Sequence, residues 1–177
     1  MREVFKVASL IDELISVLNK ENIEYEKVLA YATEKTSIIV KGDVTALQEI
    51  MSKEQAILDD IANLERKRSE VTKDIADVLN RDVKELTVSR LVELLGTQQN
   101  EKEALEKVHT KLKTTIDRLI TVNETNKVLI NDSLNIIDFE INLYKGLKMA
   151  PQTANYGKGT GYSGQYGTVS GGFDAKQ

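Results

Sequence analysis

Residues 4–32 read VFKVASLIDELISVLNKENIEYEKVLAYA. Val4, Val7, Ile11, Leu14, Leu18, Tyr25, Val28 and Ala32 fall on alternating steps of three and four, with only Glu21 interrupting the series. That spacing lays the apolar side chains along one stripe of a helix, the heptad seam of a coiled coil. The seam predicts one long helix that stops near the Lys-Gly-Asp stretch, where Gly42 can take a positive backbone angle and Asp43 can cap the next helix.

The next segment keeps the same rhythm through Leu47, Ile50, Glu54, Ile57, Ile61, Leu64, Arg68, Val71, Ile75 and Val78. With so short a connection the two helices should lie antiparallel as a hairpin. Glu54 and Arg68 put charge on the seam, where buried ions cost stability unless paired; they are expected at its margin or as a register device against a partner. After NRDVKEL, Thr87 is the expected N-cap and Gly96 the expected stop of a short connecting helix. A third long segment, from near Thr97 toward Lys148, carries Leu105, Val108, Leu112, Thr115, Leu119, Val122, Asn126, Leu129, Ser133, Ile136, Glu140, Leu143 and Leu147 on the heptad steps. At ~1.5 Å per residue, roughly fifty residues make a rod of about 75 Å, against about 50 Å for each of the first two helices, so the third could overhang them.

The predicted fold is therefore all-α: a long antiparallel helical hairpin within a three-helix coiled-coil bundle, a short connecting helix and a flexible C-terminal tail. The helical domain covers residues 1–150. Pro151 is the only proline, so nothing upstream lacks a backbone donor. Residues 151–177 hold seven of the ten glycines and cannot bury enough apolar surface to offset the entropy of ordering them. Tyr156, Tyr162, Tyr166 and Phe173 punctuate this tail as isolated aromatic side chains.

Composition narrows the function. Of 177 residues, 29% are charged and 5% aromatic, a balance common in long helices. The net charge is −4, and the tail, with two lysines against one aspartate, leaves −5 for residues 1–150; no Lys/Arg cluster suggests a phosphate-binding surface, and nucleic acid is not an expected partner. The chain has no cysteine, which excludes disulfides, thiolate nucleophiles and Cys-ligated zinc. Acidic residues interrupt the N-terminal apolar pattern, and no run approaches the ~20 apolar residues that span a bilayer, so a soluble cytoplasmic protein without stable membrane insertion is expected.

Candidate chemistry is sparse. Glu106 and His109 form the E-x-x-H spacing of di-iron bundles, but His109 is the single histidine and no second copy exists. The tail's Gly-Lys-Gly-Thr lacks the full phosphate-loop pattern and a preceding strand. No catalytic residues, metal or cofactor are expected, and a helical protein lacking catalytic groups works by binding.

The stretch from Val122 to Gly146, VNETNKVLINDSLNIIDFEINLYKG, locates that binding. A second stripe, Ile116, Ile120, Ile130, Leu134, Ile137, Ile141 and Tyr144, runs beside the heptad seam and widens the apolar face enough for two neighbouring helices. Near Ile116 to Val122 this width is expected to be partly covered within the chain. Beyond Val122 apolar residues surround the helix more broadly, as expected of a surface for a partner helix or for a second copy of the chain, with Asn123, Asn126 and Asn135 nearby as hydrogen-bonding groups.

The same stretch resembles the signature region of the FlgN family of flagellar type III export chaperones, with Asn123 and Asn126 as its two asparagines three apart. GDVTALQEIMSKEQAILDDIANLERKR, residues 42–68, is similar to the family's Gly-Asp turn and the helix after it, and the ending GGFDAKQ to a terminus seen in some members. The resemblance implies a cytoplasmic chaperone that binds the C-terminal segments of the hook-associated proteins FlgK and FlgL, which form the hook-filament junction. It would keep them unpolymerised and deliver them to the flagellar export apparatus. It also implies client binding by the C-terminal helix, at Asn123, Asn126, Leu129, Ile130, Leu134, Ile137, Ile141 and Tyr144. A self-assembling structural coiled coil, or another helical component of the export apparatus, fits the periodicity as well.

Overall fold

The computed structural model describes residues 2–95 and 98–149. The glycine-rich tail and Gly96 lie outside the described residues. The chain divides into two units, Met1–Phe139 and Glu140–Gln177.

Among the described residues the elements are α1 (Arg2–Lys41), α2 (Val44–Leu79), a single 3-10 turn (Val83–Glu85), α3 (Val88–Leu94) and α4 (Gln99–Met149), with no strand. The expected all-α plan of long helices joined by one short connector holds. Gly42 adopts φ +67°, and the Asp43 carboxylate accepts from the Ala46 amide at 2.9 Å, starting α2 immediately after the turn. α2 ends on Asn80, a non-glycine residue at φ 49°, after which the Arg81 backbone N–H donates to the Ala76 carbonyl at 3.0 Å. The Asp82 side chain caps the 3-10 turn, and Thr87 caps α3 as its position before an apolar run predicts.

α1 and α2 are antiparallel: Glu21 pairs with Arg68 at 2.9 Å, Tyr25 with Glu65 at 3.0 Å and Lys35 with Glu54 at 2.6 Å, partners descending α2 as they ascend α1. α4 runs the same way as α1, since Asn22 meets Thr115 and Thr36 meets Asn126. Close backbone approach joins α1 to α2, whereas α4 meets the hairpin through its side chains.

The seams assemble as alternating apolar and polar layers. The first cluster joins Ile11, Leu14 and Leu18 of α1 to Val71 and Ile75 of α2, Leu91 and Val92 of α3, and Leu105, Val108 and Leu112 of α4. The second, smaller cluster joins Val28, Leu29 and Ala32 to Ile61 and Leu119. Between them lies a polar layer. Glu21, which interrupts the α1 seam in sequence, is only 1% exposed and holds Arg68. Burial pushes its carboxyl above the ordinary range, opposed by the charge and hydrogen bond of Arg68. In the same layer the Tyr25 hydroxyl donates to Glu65, and burial together with that bond pushes the phenol up to about 12. Past the second cluster a further polar layer contains Lys35, Glu54, Thr36 and Asn126. Glu54 is buried rather than marginal, because Lys35 neutralises it across the hairpin. Arg68, with its side chain 42% exposed, sits at the seam's margin as expected, and both seam charges of α2 find their partners on α1.

Candidate partner-binding surface

The α4 seam stays inward as far as Leu129 and Ser133, which are half-buried, and then fails: Ile136, the next heptad position, is 59% exposed. The α1–α2 turn explains the change. Gly42 and Asp43 of that turn line a cleft of about 200 Å³ with Ile38, Ile39, Val44 and Leu47 of the hairpin and Ile130, Ser133, Leu134 and Ile137 of α4. The hairpin therefore ends at the level of Ile137, while α4 continues.

In the first unit Val128, Ile130, Leu134, Ile136, Ile137 and Phe139 are among the exposed large apolar residues, Phe139 reaching 67%. Such a concentration on one helix exceeds the scattered apolar exposure normal for a protein surface. Upstream, the second stripe is divided. Ile116 packs on the first cluster but Ile120 is exposed, while Val122, on the heptad seam, packs on the second cluster. In the second unit, Ile141, Leu143, Tyr144 and Leu147 are all exposed.

Of the residues that the sequence singles out, Ile130, Leu134 and Ile137 come together at the cleft, and Leu129 is half-buried beside them along the helix. Asn123 is exposed. Asn126 is not: it is 4% exposed, its Nδ2 donates to the Ala32 carbonyl at 2.7 Å, and its Oδ1 accepts from the Thr36 hydroxyl at 2.7 Å. The two asparagines, three apart, point to different surroundings, one to water and one into the bundle. Ile141 and Tyr144 are exposed within their own unit.

The hairpin side of the cleft has a weak sequence signal. The run Ile38-Ile39-Val40 ends a helix at a turn, and Val44 reopens the next, so apolar residues crowd the turn without a period that assigns them to a core. Val40 and Val44 are 69% and 64% exposed, which extends apolar surface around the tip.

Among the described residues no group of three or more His, Cys, Asp and Glu side chains could hold a metal ion; Glu106 and His109 share a polar cleft with Lys102, Glu93 and Ser89. No helix among the described residues is long and apolar enough to cross a membrane. What the arrangement offers is an apolar helical face beside a shallow cleft, suited to receiving another apolar helix.

The family model described as FlgN protein matches residues 1–164. The chain is 28% identical over 145 residues to the protein described as uncharacterized protein YvyG of Bacillus subtilis (strain 168), a match covering 82% of this chain and 85% of that one. No solved structure matches.

Proposed function

This chain belongs to the FlgN family of flagellar export chaperones, and on that premise we propose that it binds the C-terminal helical segments of the hook-associated proteins FlgK and FlgL in the cytoplasm. By covering the apolar stripes through which those helices associate, it prevents their premature assembly and hands them to the type III export apparatus.

The observation that supports this reading is the concentration of exposed large apolar side chains on α4 between Val128 and Phe139, beside the cleft at the hairpin tip. A client helix laid along that face buries Ile130, Leu134 and Ile137 at i, i+4 and i+7, the spacing by which helices fill grooves. Leu129 supports the face from its inner edge, and Asn123 offers a polar contact at its upstream limit. Ile141 and Tyr144, exposed apolar residues of the second unit, are assigned to the client by the same criterion. Asn126 is assigned to the bundle interior and contributes indirectly.

Size-exclusion chromatography with light scattering tests the reading, on the full chain alone and mixed with the C-terminal segment of FlgK or FlgL. A stoichiometric complex is expected. A discrete homo-oligomer that binds neither segment would replace the chaperone reading with self-assembly through the same face.

A further inference from the structure

α4 touches the hairpin through few directional contacts, and two of them are mirror images of each other. Asn22 of α1 accepts from the Thr115 hydroxyl of α4 at 2.9 Å, and Asn126 of α4 accepts from the Thr36 hydroxyl of α1 at 2.7 Å. Both asparagines are buried, at 1% and 4% exposure. Asn126 is bound further, through its Nδ2 to the Ala32 carbonyl.

The apolar part of the α4 seam does not by itself define a register. Leu112, Leu119, Val122 and Leu129 are of one kind, and a slip of one heptad, about 10 Å at ~1.5 Å per residue, would exchange similar side chains. Asn22 and Asn126 remove that degeneracy, because a slip would carry each side-chain oxygen away from its threonine; Asn22 keeps its Nδ2 bond to Glu26 within α1 at 3.1 Å, whereas Asn126 would lose both of its partners and stay buried. A leucine at position 126 would bury more apolar surface, so the asparagine gives up stability and specifies alignment, the best attested use of a buried polar seam residue.

We infer that the two Asn–Thr clasps fix the register and rotation of α4 on α1, and that Asn126, the clasp nearer the uncovered apolar face, is a positioning residue for client binding. The register statement stands on the geometry alone; the positioning role rests on the proposed function. With Asn126 inward, Ile130, Leu134 and Ile137 fall on the cleft and Ile136 and Phe139 face solvent.

The absence of cysteine allows a direct measurement in the full chain. Ser16→Cys on α1 and Thr125→Cys on α4, both exposed, carry spin labels whose separation lies mostly along the helix axes, roughly 30 Å at ~1.5 Å per residue. Electron–electron resonance should give one narrow distance distribution. Adding Asn126→Leu should split or shift it, by about 10 Å for a one-heptad slip, with helical content retained and client affinity lowered at least tenfold. Asn126→Ala gives the same reading if the leucine variant does not fold. A single unmoved distance would overturn the register assignment. Shifted distances with unchanged client affinity would overturn the positioning role while the register assignment stands. Failure of the unsubstituted chain to bind the FlgK or FlgL segment would refute the proposed function and leave the distance measurement intact.

Discussion

Replacing Arg68 by alanine tests the polar layer that separates the two core clusters. Glu21 is nearly fully buried and the Arg68 Nε lies 2.9 Å from its Oε1, so truncation strands a carboxylate in the interior. Removing one partner of a buried ion pair costs about 3–5 kcal/mol. The Arg68 side chain is 42% exposed, so water already screens the pair and can reach the vacated space, which reduces the expected loss to about 2 kcal/mol. For a chain of this size that corresponds to roughly 4–8 °C in Tm. The loss should depend on pH with a definite sign. The Glu21 carboxyl lies above its ordinary value of 4.5, so the folded protein holds this proton more tightly than the unfolded chain. Its contribution is fully present below 4.5 and is lost as pH rises through the folded value. Arg68→Ala removes both the charge and the hydrogen bond that oppose the rise, so the folded value climbs further and the window widens. Urea unfolding followed by circular dichroism, as the difference between native and variant chains, should show the full deficit at neutral pH and a smaller one near about pH 5. A deficit below about 0.5 kcal/mol, or one that grows on acidification, would refute the reasoning. Glu21→Leu combined with Arg68→Met should recover most of the loss, since an apolar pair of similar volume needs no neutralisation.

Leu134→Asp with Ile137→Asp alters two half-exposed residues, so thermal stability should change by no more than about 1 kcal/mol while calorimetry shows binding of the FlgK or FlgL segment weakened at least a hundredfold. Loss of helicity instead would make the face internal core. Gly42→Ala should cost about 1 kcal/mol by denaturant titration; a Cβ there meets nothing within 4 Å, so the penalty is purely that of φ +67°. Leu105→Ala, at a position 0% exposed in the first cluster, should cost about 2–5 kcal/mol, and a loss under about 1 kcal/mol would mean that α4 is not part of that core.

Heptad phase carries most of the fold. It assigns most of the buried residues of α1, α2 and the first half of α4, missing Val17, Asn22, Leu29, Ile39 and Ala76 beside the seam, and the turn chemistry of Gly42, Asp43 and Thr87 sets where helices begin and end. Glu21 shows the limit of reading one helix at a time. On α1 it is a defect, and only the antiparallel register brings Arg68 opposite and turns two seam charges into one pair. Asn126 shows a second limit. Its heptad phase already puts it in the seam, but its nearness to Asn123 groups it with a surface residue, and its partners on α1 lie some ninety residues away in the chain. The cleft is less legible still. Ile38, Ile39, Val44 and Leu47 belong to it because the hairpin stops there while α4 goes on, a difference of length and level that no local pattern encodes.

That difference in level also sorts the backbone by how readily it opens. α1 and α2 protect each other's amides over their length, whereas the part of α4 past Asn126 keeps its helical hydrogen bonds with little tertiary support beyond the cleft contacts. Helical turns with so little packing open locally at low cost, so amides between Lys127 and Phe139 should exchange with solvent well before those facing Leu14 or Ile75. A docked client helix would slow that exchange, and some of its interaction free energy would go into ordering the very segment it grips. The grip is thereby softened: a complex that must hold part of its own binding site in shape dissociates more readily than its apolar area suggests, which suits a carrier whose task ends in release.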